Sequence, residues 1–158
     1  MKKKIIIPIS ICVVALFVVA AILLFPKNKV DYATSEKNTS QETMEKTIGS
    51  EPDETKEENG MTINTYDYST YMDYTGKMDY YYLEDKLMMS RWETECDDGE
   101  EMKSTYEAIC ANVTKDLGEG TQSDTKDSYI WTTDEKDVTV GYTNTEDGKF
   151  VYMVENQH

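Results

Sequence analysis

Histidine is the residue type that most catalytic and zinc chemistry requires, and this sequence contains one, His158, at its C-terminal position. Terminal residues are usually poorly ordered, so we do not expect His158 to be held in a site. Ser–His and Cys–His nucleophiles and histidine-ligated zinc sites all need that residue inside the fold. The glycine-rich phosphate-binding loops, the HExxH zinc motif and the GxSxG nucleophile motif do not occur in the sequence either. We therefore predict a protein that is not an enzyme and has no catalytic residue and no cofactor.

Carboxylates are so abundant that two of them lying close together carries no information about function. With 31 Asp and Glu residues, some pair will lie close by chance, so paired acids do not predict a glycosidase. The densest group, residues 97–101, lacks the alternate spacing of acids, the sixth-position Gly and the twelfth-position Glu of an EF-hand loop. These acids suit the start of a helix, where the macrodipole favours negative charge. We predict no metal site.

Two of the three cysteines, Cys96 and Cys110, fall in the part of the chain that is expected to fold. A compartment outside the cytoplasm permits oxidation. A disulfide between Cys96 and Cys110 would stabilise the fold by about 3 kcal/mol through loop closure. The alternative is two buried free thiols.

Tyrosines are the remaining candidates for recognition. Tyr66, Tyr68, Tyr71 and Tyr74 lie close together in the sequence, and their amphipathic rings can stack on sugars or peptides with little loss of entropy. The conformation of residues 61–76 stays open, because the spacing fits both a strand and a helical turn. We predict an aromatic binding surface formed by these four residues. The alternative is that their rings cover the sheet face left free by a helix.

The N-terminal sequence predicts where this chemistry takes place. Residues 5–25 form an unbroken apolar run after Lys2, Lys3 and Lys4. As a helix the run would rise about 31 Å, enough to cross the hydrocarbon core of a membrane. Positive charge on the short flank favours a cytoplasmic N-terminus. We therefore predict a cytoplasmic tail at residues 1–4, a transmembrane signal anchor at 5–25 and an extracytoplasmic remainder; a cleaved signal peptide is the alternative.

Charge and composition describe the next part of the chain. The net charge is −15, which disfavours nucleic acid and anionic lipid and favours neutral or cationic partners. Residues 26–60 are rich in Thr, Ser, Glu, Lys and Asn, with few apolar side chains to repay the entropy of ordering. We predict a disordered acidic stalk over residues 26–60 and a single folded domain over residues 61–158.

The clearest element of that domain is a helix from near Asp98 to Gly118. Its apolar residues recur three and four positions apart, acids occupy the first turn, and Gly follows the last apolar position. The apolar positions are Met102, Tyr106, Ile109, Val113 and Leu117.

Strands are predicted on both sides of this helix. Residues 78–83 and 87–95 flank a short acidic connection, and residues 129–133 are short and aromatic. Two alternating segments, 138–143 and 150–154, flank Thr145-Glu146-Asp147-Gly148, whose Asp-Gly pair suits a hairpin turn. We predict an α+β fold in which the N-terminal transmembrane helix is followed by one antiparallel sheet, of order ββ-α-βββ, covered on one face by one helix.

One series of features carries a family resemblance. It consists of Tyr80-Tyr81-Tyr82-Leu83-Glu84-Asp85-Lys86-Leu87, a helix closing at Leu117-Gly118, a strand around Trp131 and a final hairpin. Over residues 78–155 this series resembles small membrane-anchored envelope domains of Gram-positive bacteria. The resemblance implies an envelope location and a small α+β fold, and it carries over no catalytic or ligand residue.

Together these features predict a single-pass membrane protein whose C-terminal domain lies outside the cytoplasm and acts as a binding or interaction module of the cell envelope. Its partners would be the membrane, through residues 5–25, and an envelope protein or cell-wall glycan. The alternative is a cleaved, secreted protein resembling small inhibitors or toxins, and an enzyme ranks third.

The topology is directly testable. Protease added to intact cells should remove the chain from residue 31 onward, because that part is predicted to lie outside, and should leave an N-terminal fragment in the membrane. Immunoblotting with an N-terminal tag measures the fragment. A soluble mature protein that starts near residue 22 would contradict the prediction.

Overall fold

A computed structural model describes residues 29–33 and 36–158 of the chain. Within these residues it contains nine strands and two helices. They are β1 (Val30–Asp31), α1 (Gln41–Ile48), β2 (Glu54–Glu58), β3 (Met61–Tyr71), β4 (Tyr74–Leu83), β5 (Lys86–Cys96), α2 (Gly99–Leu117), β6 (Thr121–Gln122), β7 (Ser128–Thr132), β8 (Lys136–Thr145) and β9 (Gly148–Gln157). The predicted tail at residues 1–4 and the predicted membrane span at 5–25 lie outside the described residues. Among the helices that are described, none has the length and apolar character needed to cross a membrane.

All nine strands belong to one sheet of order β1-β3-β4-β5-β9-β8-β7-β6, with β2 also paired to β3. Strand β1 runs parallel to β3, and the other pairs are antiparallel. The predicted fold, a purely antiparallel ββ-α-βββ sheet under one helix, is therefore wrong: the sheet is mixed, it has more strands, and a second helix is present. Both β1 and β2 pair along the outer edge of β3. Strand β1 pairs with residues distant in the sequence, which hydrophobic alternation does not reveal, whereas β2 pairs with β3 across the two-residue turn Asn59-Gly60, a local hairpin signal.

Hairpins between strands that are adjacent in the sequence build most of the sheet. Strands β4 and β5 meet at Glu84 and Asp85, whose φ angles of 51° and 59° are those of a type I′ turn. Strands β8 and β9 meet at Glu146-Asp147, as the sequence predicts. The undecided segment 61–76 forms strand β3, a turn at Met72-Asp73 and the start of β4. Gly76 does not end a helix; a Cβ there would lie 2.1 Å from the backbone oxygen of Glu93.

Helix α2 confirms the predicted helix. The side chain of Asp98 accepts hydrogen bonds from the backbone amides of Glu100 and Glu101, and Gly118 follows the last turn. The helix packs against β5, β8 and β9. Four of its predicted apolar positions are buried, while Leu117 is exposed.

The segment predicted to be a disordered stalk contains ordered elements. Ser40 caps α1 by accepting from the amide of Thr43, and Met44 is buried in the core. Strand β2 is exposed along its whole length and is held by its backbone ladder to β3. The prediction failed here because composition measures the mean apolar content, whereas one well-placed Met and an edge ladder order this segment.

Substitution of Ile109 tests the packing of α2. Ile109→Ala should lower the free energy of unfolding by about 2–4 kcal/mol, because Ile109 is fully buried against the sheet. Ile130→Ala provides a matched control, since Ile130 is 38% exposed. Urea denaturation measures both, and equal losses would contradict this packing.

Candidate functional site

The four tyrosines predicted to form one surface are separated by the fold. Tyr66 belongs to the core, where it is 2% exposed and packs edge-on against Tyr80 at a ring distance of 5.9 Å. Tyr68 is 46% exposed, at the irregularity in the register of β3. Tyr71 and Tyr74 are half-buried against the core. Burial raises the pKa of Tyr66 to about 12, as expected for a core side chain.

Both candidate disulfide residues are free thiols. Cys96 is buried at the end of β5, where its thiol is hydrogen-bonded to Thr105. Cys110 is half-buried on α2, five residues after Thr105 and beside Tyr106. Each thiol faces a different neighbour, Thr105 for Cys96 and Tyr106 for Cys110, and the predicted disulfide is absent from the structure.

A cleft with a volume of about 260 Å³ lies between α2, the segment that follows β1 and the sheet. Its apolar lining comes from α2 and from the floor of the sheet: Val113, Leu117, Val138 and Met153. Its polar lining comes from five different parts of the chain: Tyr32, Tyr71, Asn112, Asp116, Lys136 and Glu155. An apolar cleft with a few convergent polar groups is the usual form of a small-molecule site.

The floor of the cleft contains a buried ion pair. Glu155 on β9 is 4% exposed, and its Oε1 accepts a hydrogen bond from Nζ of Lys136 on β8 at 3.0 Å. Both side chains lie on the sheet face that α2 covers. Each is two residues away from a core residue on its own strand, Lys136 from Val138 and Glu155 from Met153. The second oxygen of the carboxylate, Oε2, is buried.

The wall of the cleft is aromatic. The rings of Tyr32 and Tyr71 meet edge to face, with centroids 5.0 Å apart. Nδ2 of Asn112 donates to the Tyr71 hydroxyl at 3.0 Å. Burial raises the pKa of Tyr71, and the carboxylates of Asp116 and Glu155 raise it further, against the effect of that hydrogen bond. The phenol of Tyr71 is therefore neutral at physiological pH.

Tyr32 is held at the cleft by its neighbours. Its amide donates to the Thr70 oxygen at 2.7 Å, and the next carbonyl, that of Ala33, accepts from the Tyr80 hydroxyl at 2.9 Å. Burial, followed by the Glu155 carboxylate, raises the pKa of Tyr32 well above its ordinary value. The Tyr32 hydroxyl lies beside Glu155 and interacts with its carboxylate.

Of the predicted site residues, the structure brings Tyr71 alone to this cleft, and the remaining polar residues were missed. Glu155 had a signal in the sequence. It continues the alternation of Val151 and Met153, so it is an acid at a position where the pattern requires a buried side chain. Tyr32 had no local signal, because it reaches the cleft through the long-range pairing of β1.

His158 lies away from the cleft. Its Nε2 is 3.1 Å from Oδ2 of Asp137, and its amide donates to the Glu135 oxygen. Over residues 29–33 and 36–158, no group of three or more His, Cys, Asp or Glu side chains is arranged to hold a metal ion.

Comparison with known proteins identifies no family. Neither a protein-family model nor a curated protein matches the chain. Among solved structures, the chain is similar to an extracellular protein containing a SCP domain from Bacillus anthracis str. Ames, with 13% sequence identity and a TM-score of 0.46. The similarity covers 84% of this chain and 49% of that protein, so the chain spans about half of its length.

The buried ion pair can be tested by unfolding. Lys136→Met should lower the free energy of unfolding by about 3 kcal/mol, because it leaves the buried carboxylate of Glu155 without its ionic partner. Lys46→Met is the control: it removes the exposed pair between Lys46 and Glu42 and should cost less than about 1 kcal/mol. Chemical denaturation measures both. Similar losses in the two variants would contradict a buried pair.

Proposed function

We propose that this chain is a non-catalytic binding module of the cell envelope. Its apolar N-terminal sequence anchors it in the membrane, its folded domain lies outside the cytoplasm, and the cleft is its binding site. One observation carries the proposal. After the domain has packed, an aromatic-walled concavity remains, with an apolar floor and polar groups that converge on it from several parts of the chain. A concave apolar site with a few convergent polar groups is the usual form of a ligand site.

Recognition is favoured over turnover by the groups that surround the cleft. Lys136 and Glu155 are paired with each other, so neither is free to act as a nucleophile or general base. The thiols are also poor nucleophiles: burial raises the pKa of Cys96, and it raises the pKa of Cys110 to about 11. A protonated thiol does not attack.

An envelope glycan or an envelope protein is the partner class we propose. The rings of Tyr32 and Tyr71 offer contact area with a polar edge, as sugar-binding and peptide-binding surfaces do. The chain's net charge of −15 selects against anionic partners.

Retention on purified cell-wall glycan tests the proposal. The full chain in detergent should be retained, and Asn112→Trp should abolish retention, because a large side chain there fills the cleft. Ile130→Trp is the matched control, since it adds the same ring at an exposed position outside the cleft lining. Both variants should melt cooperatively near the parent temperature.

Equal retention of the parent and both variants would place any glycan contact elsewhere. The same two variants are then tested by cross-linking to envelope proteins, which decides whether an envelope protein is the partner. If Asn112→Trp changes neither retention nor cross-linking, the cleft is not a binding site for the envelope and the proposal fails.

A further inference from the structure

The folded domain begins close to the predicted membrane span. That span ends at residue 25, and the sheet begins at Val30, the first residue of β1. An extended chain advances at most about 3.6 Å per residue, so Val30 lies within about 18 Å of the end of the span, whatever conformation the residues between them adopt. The connection is therefore too short to act as a stalk.

The pairing of β1 decides which part of the domain this connection holds near the membrane. Val30 lies opposite Ser69 and Asp31 lies opposite Thr70, at one edge of the sheet. Strand β7 lies six strand spacings from β1, which is about 29 Å at about 4.8 Å per spacing. The short connection therefore brings the β1–β3 edge to the membrane and leaves the β7 edge unconstrained.

Side chains suited to a membrane surface flank this pairing. Tyr68 directly precedes Ser69 and is 46% exposed, and Met72 follows β3 at the turn and is 44% exposed. A tyrosine ring suits the boundary between water and lipid, because its body is apolar and its hydroxyl is polar. Lys29, directly before β1, is also exposed, and a lysine can lay its alkyl stem on apolar surface while its ammonium group stays at the headgroups.

Charge restricts the kind of lipid that this edge tolerates. Four exposed aspartates lie on or beside it: Asp31, Asp53, Asp67 and Asp73. Together they outnumber the one nearby ammonium group, that of Lys29. Anionic headgroups would be repelled by this surplus of carboxylates, whereas zwitterionic headgroups have no net charge.

We propose that the β1–β3 edge lies against the headgroups of a zwitterionic bilayer, with Tyr68 and Met72 in contact with lipid. The cleft is then a site at the membrane surface. Tyr32, which lines the cleft, lies within about 25 Å of the end of the predicted span by the same limit on chain length. This inference rests on the anchoring in the proposed function, and it restricts the partner of the cleft to molecules that reach the membrane surface.

Photo-labelling from lipid headgroups tests the proposal. The full chain is reconstituted in phosphatidylcholine vesicles that contain a lipid with a photoactivated group on its headgroup, and mass spectrometry locates the adducts. Labelling of Tyr68 should exceed that of Ile130, on β7, by about fivefold or more, because the short connection raises the local concentration of lipid at one edge only. Ile130 is a fair reference, since it is 38% exposed. Equal labelling of the two residues would overturn the proposal.

Matched variants test the contact itself. Met72→Asn should lower the labelling of Tyr68, because it removes an apolar contact while Asn tolerates the φ angle of 53° at this position. Ile130→Asn is the control and should leave that labelling unchanged. The same labelling of Tyr68 in both variants would overturn the contact. If Met72→Asn does not fold, insertion of 20 Gly and Ser residues before Lys29 decides: it adds a reach of about 25 Å and should lower the labelling of Tyr68, and unchanged labelling overturns the proposal.

Lipid composition tests the charge argument. Replacing part of the phosphatidylcholine by anionic phosphatidylglycerol should lower the labelling of Tyr68 at low salt, and added salt should restore it, because salt screens repulsion between exposed charges. Stronger labelling on the anionic vesicles would assign this edge to anionic lipid and overturn the proposal.

Flotation of the full chain with the vesicles measures anchoring separately, and a chain that does not float would overturn the anchoring itself. If the chain floats and Tyr68 is not preferentially labelled, while Asn112→Trp still abolishes retention, the membrane-facing edge is wrong and the proposed function stands. If Tyr68 is preferentially labelled while Asn112→Trp affects neither retention nor cross-linking, the membrane-facing edge stands and the cleft fails as the binding site.

Discussion

The structure depends on one geometric constraint: the apolar face of its sheet is wider than a single helix can cover. Neighbouring strands lie about 4.8 Å apart, whereas a packed helix occupies about 8–10 Å. Helix α2 packs over β5, β8 and β9, which leaves the core face of β3 and β4 to be covered by other residues. The N-terminal segment provides that second cover, through Val30, Met44 and the chain around Tyr32.

The cleft follows from this division of the core face. It lies where the two covers meet, with Asn112 and Asp116 contributed by α2, Tyr32 by the N-terminal segment and Glu155 by the sheet beneath them. A charged residue is tolerated on the core face at this point because Lys136 pairs with it. The same junction brings the Tyr32 hydroxyl beside the Glu155 carboxylate. Fold and proposed site therefore have one origin, namely a core that is closed by two separate pieces of chain.

Local sequence signals predicted the elements that local interactions determine. The spacing from Met102 to Val113 predicted α2, and the Asp-Gly pair before Lys149 predicted the last hairpin. Strand β1 was missed because it pairs with residues distant in the sequence, and β2 because its side chains are polar and show no apolar alternation, although the Asn-Gly pair that joins it to β3 is a local turn signal. The site was harder to predict for the same reason. Tyr66 and Tyr71 are near neighbours in sequence, and only the register of β3 decides that one is core and the other lines the cleft.

Amide hydrogen exchange of the full chain tests the two-cover arrangement most directly, because it reports the protection of each backbone hydrogen bond. The amide of Tyr32, which donates to Thr70, and the amide of Met44, inside α1, should exchange far more slowly than an unstructured peptide. Their protection should fall together with that of β3 as denaturant is added. Exchange at the unstructured rate across residues 30–48, with α2 and the central strands still protected, would contradict the arrangement and remove one wall of the cleft.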